Sequence, residues 1–247
     1  MKVKNIKCSL FFQRIEAPRS KIDKLEASSL SQHFIVPFNP QPIPNDAPPV
    51  LPRITATSIN GDYDLMLSQI NVQLTRKKSA DLDTDFETVI EEMKNIVIEI
   101  YNSILQVYEA EILYFGINCL VDIDDKTPIK TLQNKYLKNI NNNIVEMNLR
   151  YSTIENNKYY TNIVLSNITE YQMQIPLTKE QQQTIVIDTL STSQFKKVND
   201  MIQINVDVND KYSFNQNSNY RTTNEEIDNI MNVSKTTLKT KIAEVLE

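Results

Sequence analysis

The sequence predicts an α+β fold: an antiparallel sheet packed against one long amphipathic helix, with a C-terminal helix and an ordered proline-rich strap. Three observations carry this. Most β-patterned segments are separated by turn residues, Asn60-Gly61 and Glu155-Asn156-Asn157-Lys158 among them, so neighbouring strands are expected to run antiparallel. One stretch, 85–111, repeats apolar residues at helical spacing with no proline or glycine to interrupt it. The last two dozen residues repeat that pattern behind a capping sequence.

Taken in order, residues Asn5 to Ile15 place Ile6, Cys8, Leu10 and Phe12 on one parity, as a half-buried strand does. Arg19 to Phe34 carries Ile22, Leu25 and Leu30 at near-helical spacing, with Ser20 as the expected N-cap. Seven of the ten prolines then fall between Phe34 and Ile54. They rule out helix and central strand, while Phe34, Ile35, Val36, Phe38, Ile43, Val50, Leu51 and Ile54 give the segment too much apolar character for a linker. Residues 34–54 are therefore expected to form a stiff extended strap on a single domain spanning 1–247. Asn60-Gly61 follows as a hairpin turn, and Ile70, Val72 and Leu74 alternate with Asn71, Gln73 and Thr75.

The long helix is expected from Asp85 to Glu111, with Asp83, Asp85 and Glu87 where the helix dipole favours acids. Strands are predicted over Ile112–Ile123, on both sides of Glu155–Lys158, over Thr184–Leu190 and over Met201–Asp210. A short helix opens at Thr127-Pro128, and the terminal helix, Asn224–Leu246, begins with the capping box Thr223-x-x-Glu226.

Composition excludes more chemistry than it supports. With only two glycines, Gly61 and Gly116, neither a dinucleotide fingerprint nor a phosphate-binding P-loop can be written. A net charge of −5 and sparse basic clusters argue against nucleic-acid binding. No segment has the ~20 apolar residues of a spanning helix, and the N-terminus lacks a secretory h-region. The expectation is a cytoplasmic protein whose two cysteines, Cys8 and Cys119, stay free and buried. The one histidine, His33, is expected on the surface or at a cap, and no cofactor is expected.

Two residue sets remain. Asp122, Asp124 and Asp207 lie at strand ends where they could converge on a divalent cation in a hydrolase or nuclease; Asp125, Asp188 and Asp210 lie nearby in such motifs. The competing role for such acids is to keep strand edges soluble and cap helices. Tyr151, Tyr159, Tyr160, Tyr171, Tyr212, Phe214 and Tyr220 would form a ligand or peptide surface if several shared one face of the sheet.

The order of features also resembles a sporadically distributed, functionally uncharacterised family of bacterial proteins. The likeness lies in "PFNP" and "PPVLPRI", the Asn-Gly hairpin, a long helix entering "YFGINCLVDI", and "INVDVND" before a terminal helix. The resemblance implies one α+β domain and a patchy distribution of the kind seen for mobile-element and phage-defence genes. It supplies no active-site residue. The leading expectation is a non-enzymatic protein-interaction module, docking another protein, foreign or a second copy in a homodimer, through the terminal helix or an exposed strand edge, in a defence or toxin–antitoxin system. The alternatives are the aspartate hydrolase and a small-ligand carrier or sensor.

Overall fold

The computed structural model describes residues 2–44, 46–77, 86–137, 143–173 and 195–247. Among them, nine strands form one antiparallel sheet: β1 (Lys2–Phe12), β2 (Asn39–Pro40), β3 (Ile54–Thr57), β4 (Tyr63–Leu67), β5 (Asn71–Arg76), β6 (Ile112–Asp124), β7 (Asn148–Glu155), β8 (Tyr159–Met173) and β9 (Phe195–Asn209). Their order across the sheet is β2-β3-β4-β5-β1-β6-β9-β8-β7. The central strands β1, β6 and β9 meet only through pairings distant in sequence.

Alternation gives the sheet two different faces. Ile6, Cys8, Leu10 and Phe12 of β1, Phe115, Ile117, Cys119 and Val121 of β6, and Ile202, Ile204, Val206 and Val208 of β9 all point to one face and are buried. Two helices of 23 residues cover it, α2 (Phe86–Tyr108) and the C-terminal α5 (Asn224–Leu246). Helix α2 turns Phe86, Val89, Ile90, Met93, Val97, Ile100 and Ile104 inward, each buried aliphatic side chain contributing about 1.5–3 kcal/mol. It ends where Glu109 enters the left-handed region (φ 56°), a stop made here without glycine. Lys94 joins α2 to Asp228 of α5 at 2.8 Å.

Helix α5 begins where the capping sequence predicts, with Thr223 Oγ1 accepting from Glu226 N at 3.3 Å. Only half the box forms, because the Glu226 carboxylate accepts instead from Lys158 Nζ and Tyr159 Oη. Its apolar face is used internally: Ile227, Ile230, Met231, Leu238 and Ile242 are buried, as is Ser234, 3.5 Å from the Cys119 thiol. Burial pushes that thiol up to about 12, and neither cysteine is bonded. Short α3 (Pro128–Tyr136) lies beside α5. Its start is held not by Thr127 but by Asp125, whose carboxylate accepts from Thr127 N and Thr131 Oγ1 at 2.7 and 2.6 Å.

Three local expectations change. The helix predicted over Arg19–Phe34 is broken into a 3-10 turn (Pro18–Lys21), α1 (Ile22–Glu26) and a second 3-10 turn (Ser29–Gln32). Serines cause the break: Ser28 Oγ bonds Leu25 O and accepts from Leu30 N, so the backbone turns where a helix would continue. Ser20 lies inside the first turn, whose N1 residue is Pro18. The arm after Asn60-Gly61 is two strands, because Ser68 Oγ accepts from Asn71 N and folds a second turn. Both predicted hairpins form, with Gly61 at φ 79° and Asn156 and Asn157 at φ 52° and 54°. The strand expected over Thr184–Leu190, with Asp188, lies outside the described residues, as do Asp83 and Asp85.

The proline-rich segment packs on the body. Phe34 and Phe38 are buried edge to face at 6.4 Å, and Asn39–Pro40 pairs with β3 as a sheet edge. Arg53, 0% exposed, fastens the rest. Its guanidinium donates to Leu51 O (2.9 Å), Ala47 O (3.0 Å) and Pro48 O (3.4 Å), carbonyls of the segment itself.

Candidate functional site

The second face of the sheet carries no long helix among the described residues. Register places its side chains in rows that cross the strands. One row runs Ser9, Gly116, Asn209, Tyr160; the next runs Lys7, Asn118, Asp207, Asn162. Gly116 is thus at the centre of the sheet with no side chain, between Ser9 and Asn209. A Cβ there would lie 3.1 Å from Asn209 Cβ, so the strands approach closely as well. The result is a dip of about 400 Å³ lined by Lys7, Ser9, Phe11, Tyr114, Gly116, Asn118, Asp207, Asn209 and Lys211. Glycine inside a strand often marks such a close approach.

Each wall has its own chemistry. Phe11 and Tyr114, opposed on β1 and β6, stack with centroids 4.3 Å apart and form the apolar wall. The six-residue helix α4 (Lys211–Gln216) folds over this end. It sets Phe214 5.6 Å from the Tyr114 ring, Lys211 Nζ 5.6 Å above that ring, and Tyr212 against Tyr160 at 5.2 Å. Helix α4 is itself held by Asp210, fully buried, which accepts from Phe115 N, Tyr220 Oη and Thr222 Oγ1 at 2.7, 2.8 and 2.6 Å. Burial raises Asp210 above the usual carboxylate range against those three bonds. Lys7, half-buried on the opposite wall, makes no ion pair among the described residues, and neither does Lys211.

Asp207 forms the polar rim. Its Oδ2 accepts from Asn162 and Asn209 at 3.0 and 3.3 Å, whereas Oδ1 accepts no hydrogen bond among the described residues and would lie 3.9 Å from a Cβ at Gly116. Burial, opposed by the two amides, raises the Asp207 carboxyl. Asn118 is committed to Asn205 at 2.6 Å. Ser9 Oγ has no bonded general base among the described residues, so the dip lacks the nucleophile–base contact that covalent catalysis uses.

The three aspartates proposed as metal ligands are not drawn together. Asp122 is buried and paired with Lys4 (3.1 Å) and Gln203 (3.0 Å). A bulge between Val3 and Asn5 accompanies the Lys4 contact. Asp124 accepts from Asn199 at 2.5 Å. Asp207 lies opposite Asn118, four residues along β6 from Asp122, or about 13 Å. Among the described residues no three metal-ligating side chains gather. His33 Nε2 is 3.1 Å from Glu99 Oε1, outside hydrogen-bond alignment and far from the dip in sequence and fold.

The aromatic set divides between faces. Tyr160, Tyr212 and Phe214 come together on the open face. Tyr159 and Tyr220 bond Glu226 and Asp210 instead, and Tyr151 lies under Lys241 of α5. Phe11, Tyr114, Lys7 and Gly116 were missed as site residues. Gly116 inside an apolar strand was the one available signal; the others become neighbours only through register. Comparison with family models, curated proteins and solved structures found no match to this chain.

Proposed function

We propose that this chain is a non-enzymatic protein-interaction module whose open sheet face docks another protein, with the Gly116 dip as the anchor point. The observation that carries the reading is the dip itself: an indentation at the middle of the sheet, walled by half-buried aromatics and by lysines without ion-pair partners among the described residues. Interfaces concentrate their energy in such central pockets, with aromatic residues prominent among the contributors. The terminal helix offers less for docking, since its apolar face is covered by β6, β9 and α2. The setting implied by the family resemblance is bacterial or phage defence. A second reading, a small-ligand sensor, draws support from the volume of about 400 Å³, which falls in the range of ~300–1,000 Å³ for ligand sites.

A photo-crosslinking residue placed at Asn118, on the open face, and separately at Glu91, on the exposed side of α2, tests the choice. In the source cells, the docking reading expects one discrete protein adduct from position 118 and none from 91. Equal adducts from both, or none from 118, contradict it.

A further inference from the structure

We propose that the Gly116 dip is an oxyanion site that takes a carboxylate with an adjoining apolar group, presented by an acidic segment of the partner. This rests on the docking face proposed above and adds the chemistry that face would read.

Lys7 supplies the first reason. The Lys7 side chain, half-buried at the dip, makes no ion pair among the described residues, whereas Lys4 on the same strand has Asp122 at 3.1 Å and Lys77, just past β5, has Asp64 at 2.9 Å. Lys7 stands one row below Gly116, and Lys211 stands over the Tyr114 ring on the far side. An anion seated on the glycine lies between two cations that do not satisfy each other.

Hydrogen-bond accounting supplies the second. Asn118 and Asn209 each donate one amide N–H, to Asn205 and Asp207, so their second N–H groups, the lysine ammonium groups and the Ser9 hydroxyl are the donors that can meet an incoming oxygen. Among the described residues Asp207 Oδ1 accepts no hydrogen bond, and it stands across roughly 10 Å from Lys7, two strand spacings. A carboxylate beside an N–H satisfies both ends: oxygens to the lysines, N–H to Asp207. An acidic residue within a peptide carries that pair. The Phe11–Tyr114 wall accounts for the apolar neighbour.

The probe is N-acetylphenylalanine, which joins a carboxylate, a ring and an amide N–H. Its binding to the full-length protein is followed by backbone-amide NMR. Saturable shifts confined to Gly116, Asn118 and Asn209 and their neighbours are expected, with Kd in the range of about 1–10 mM. Neutral N-acetylphenylalaninamide should bind at least about tenfold more weakly, and Lys7→Met and Lys211→Met should each weaken the acid by about fivefold or more. Lys130→Met, on α3, should change nothing. Equal binding of acid and amide, or no saturable shift in that range, overturns the proposal. Phenyl phosphate binding more tightly than the acid overturns the carboxylate source and assigns the anion to a phosphate. If the proposal fails while the adduct from position 118 persists, the docking face stands without anion chemistry; loss of both removes the face as well.

Discussion

Asp207 combines two roles that pull its chemistry in opposite directions. Asn162 and Asn209 stabilise its charged form through Oδ2, yet burial wins and raises its carboxyl above the ordinary range. The folded protein therefore holds this proton to a higher pH than the unfolded chain. Its contribution to stability is full below the ordinary carboxylate value and is lost as pH rises through the raised one. Asp207→Asn removes that loss. In urea unfolding between acid and neutral pH, the variant should lose less stability than the wild type. The slope is reduced rather than abolished, because Asp210, also raised by burial, remains. An unchanged slope would show that Asp207 titrates normally.

The strap shows at the scale of an element how a polar residue can hold a chain segment that has little sheet pairing of its own. Arg53 lies in the interior and binds carbonyls of the segment it belongs to, while Gln69 N donates to Pro49 O and Gln69 Nε2 to Glu16 O. Arg53→Met keeps the volume and loses the donors. It should cost about 1–3 kcal/mol, and cleavage within 34–54 by a non-specific protease should accelerate about tenfold for each ~1.4 kcal/mol. Cleavage at the wild-type rate would mean that the prolines alone hold the strap. Much of this level was legible beforehand. Helices α2 and α5 repeat one period over more than six turns, and Asn60-Gly61 and Asn156-Asn157 announce turns through the backbone angles they tolerate. The serine-rich stretch between Pro18 and Gln32 was misread because its apolar spacing suits a helix. What decides it is the competition of serine hydroxyls for backbone groups, which periodicity does not register.

Among the described residues the molecule is a sheet with one face closed by α2 and α5 and the other left open around a glycine. The closed face could be read from alternation, strand by strand. The site could not, because it is a product of register: Lys7, Gly116 and Asp207 come from three strands whose pairing spans most of the chain. Nothing local in "KCSLFF", "YFGIN" or "NVDVND" says that these residues meet. The same register keeps Asp207 away from Asp122, so the grouping by sequence motif did not become a grouping in space. If the open face is where another protein docks, its lysines are covered in the cell and bare after purification. Quantitative acetylation of lysines in extract from the source cells and in the purified protein tests this most directly. The account predicts that Lys7 and Lys211 react more slowly in the extract, while Lys126 and Lys130, exposed beside α3, react alike in both. Equal reactivity of Lys7 and Lys211 in the two preparations would contradict it.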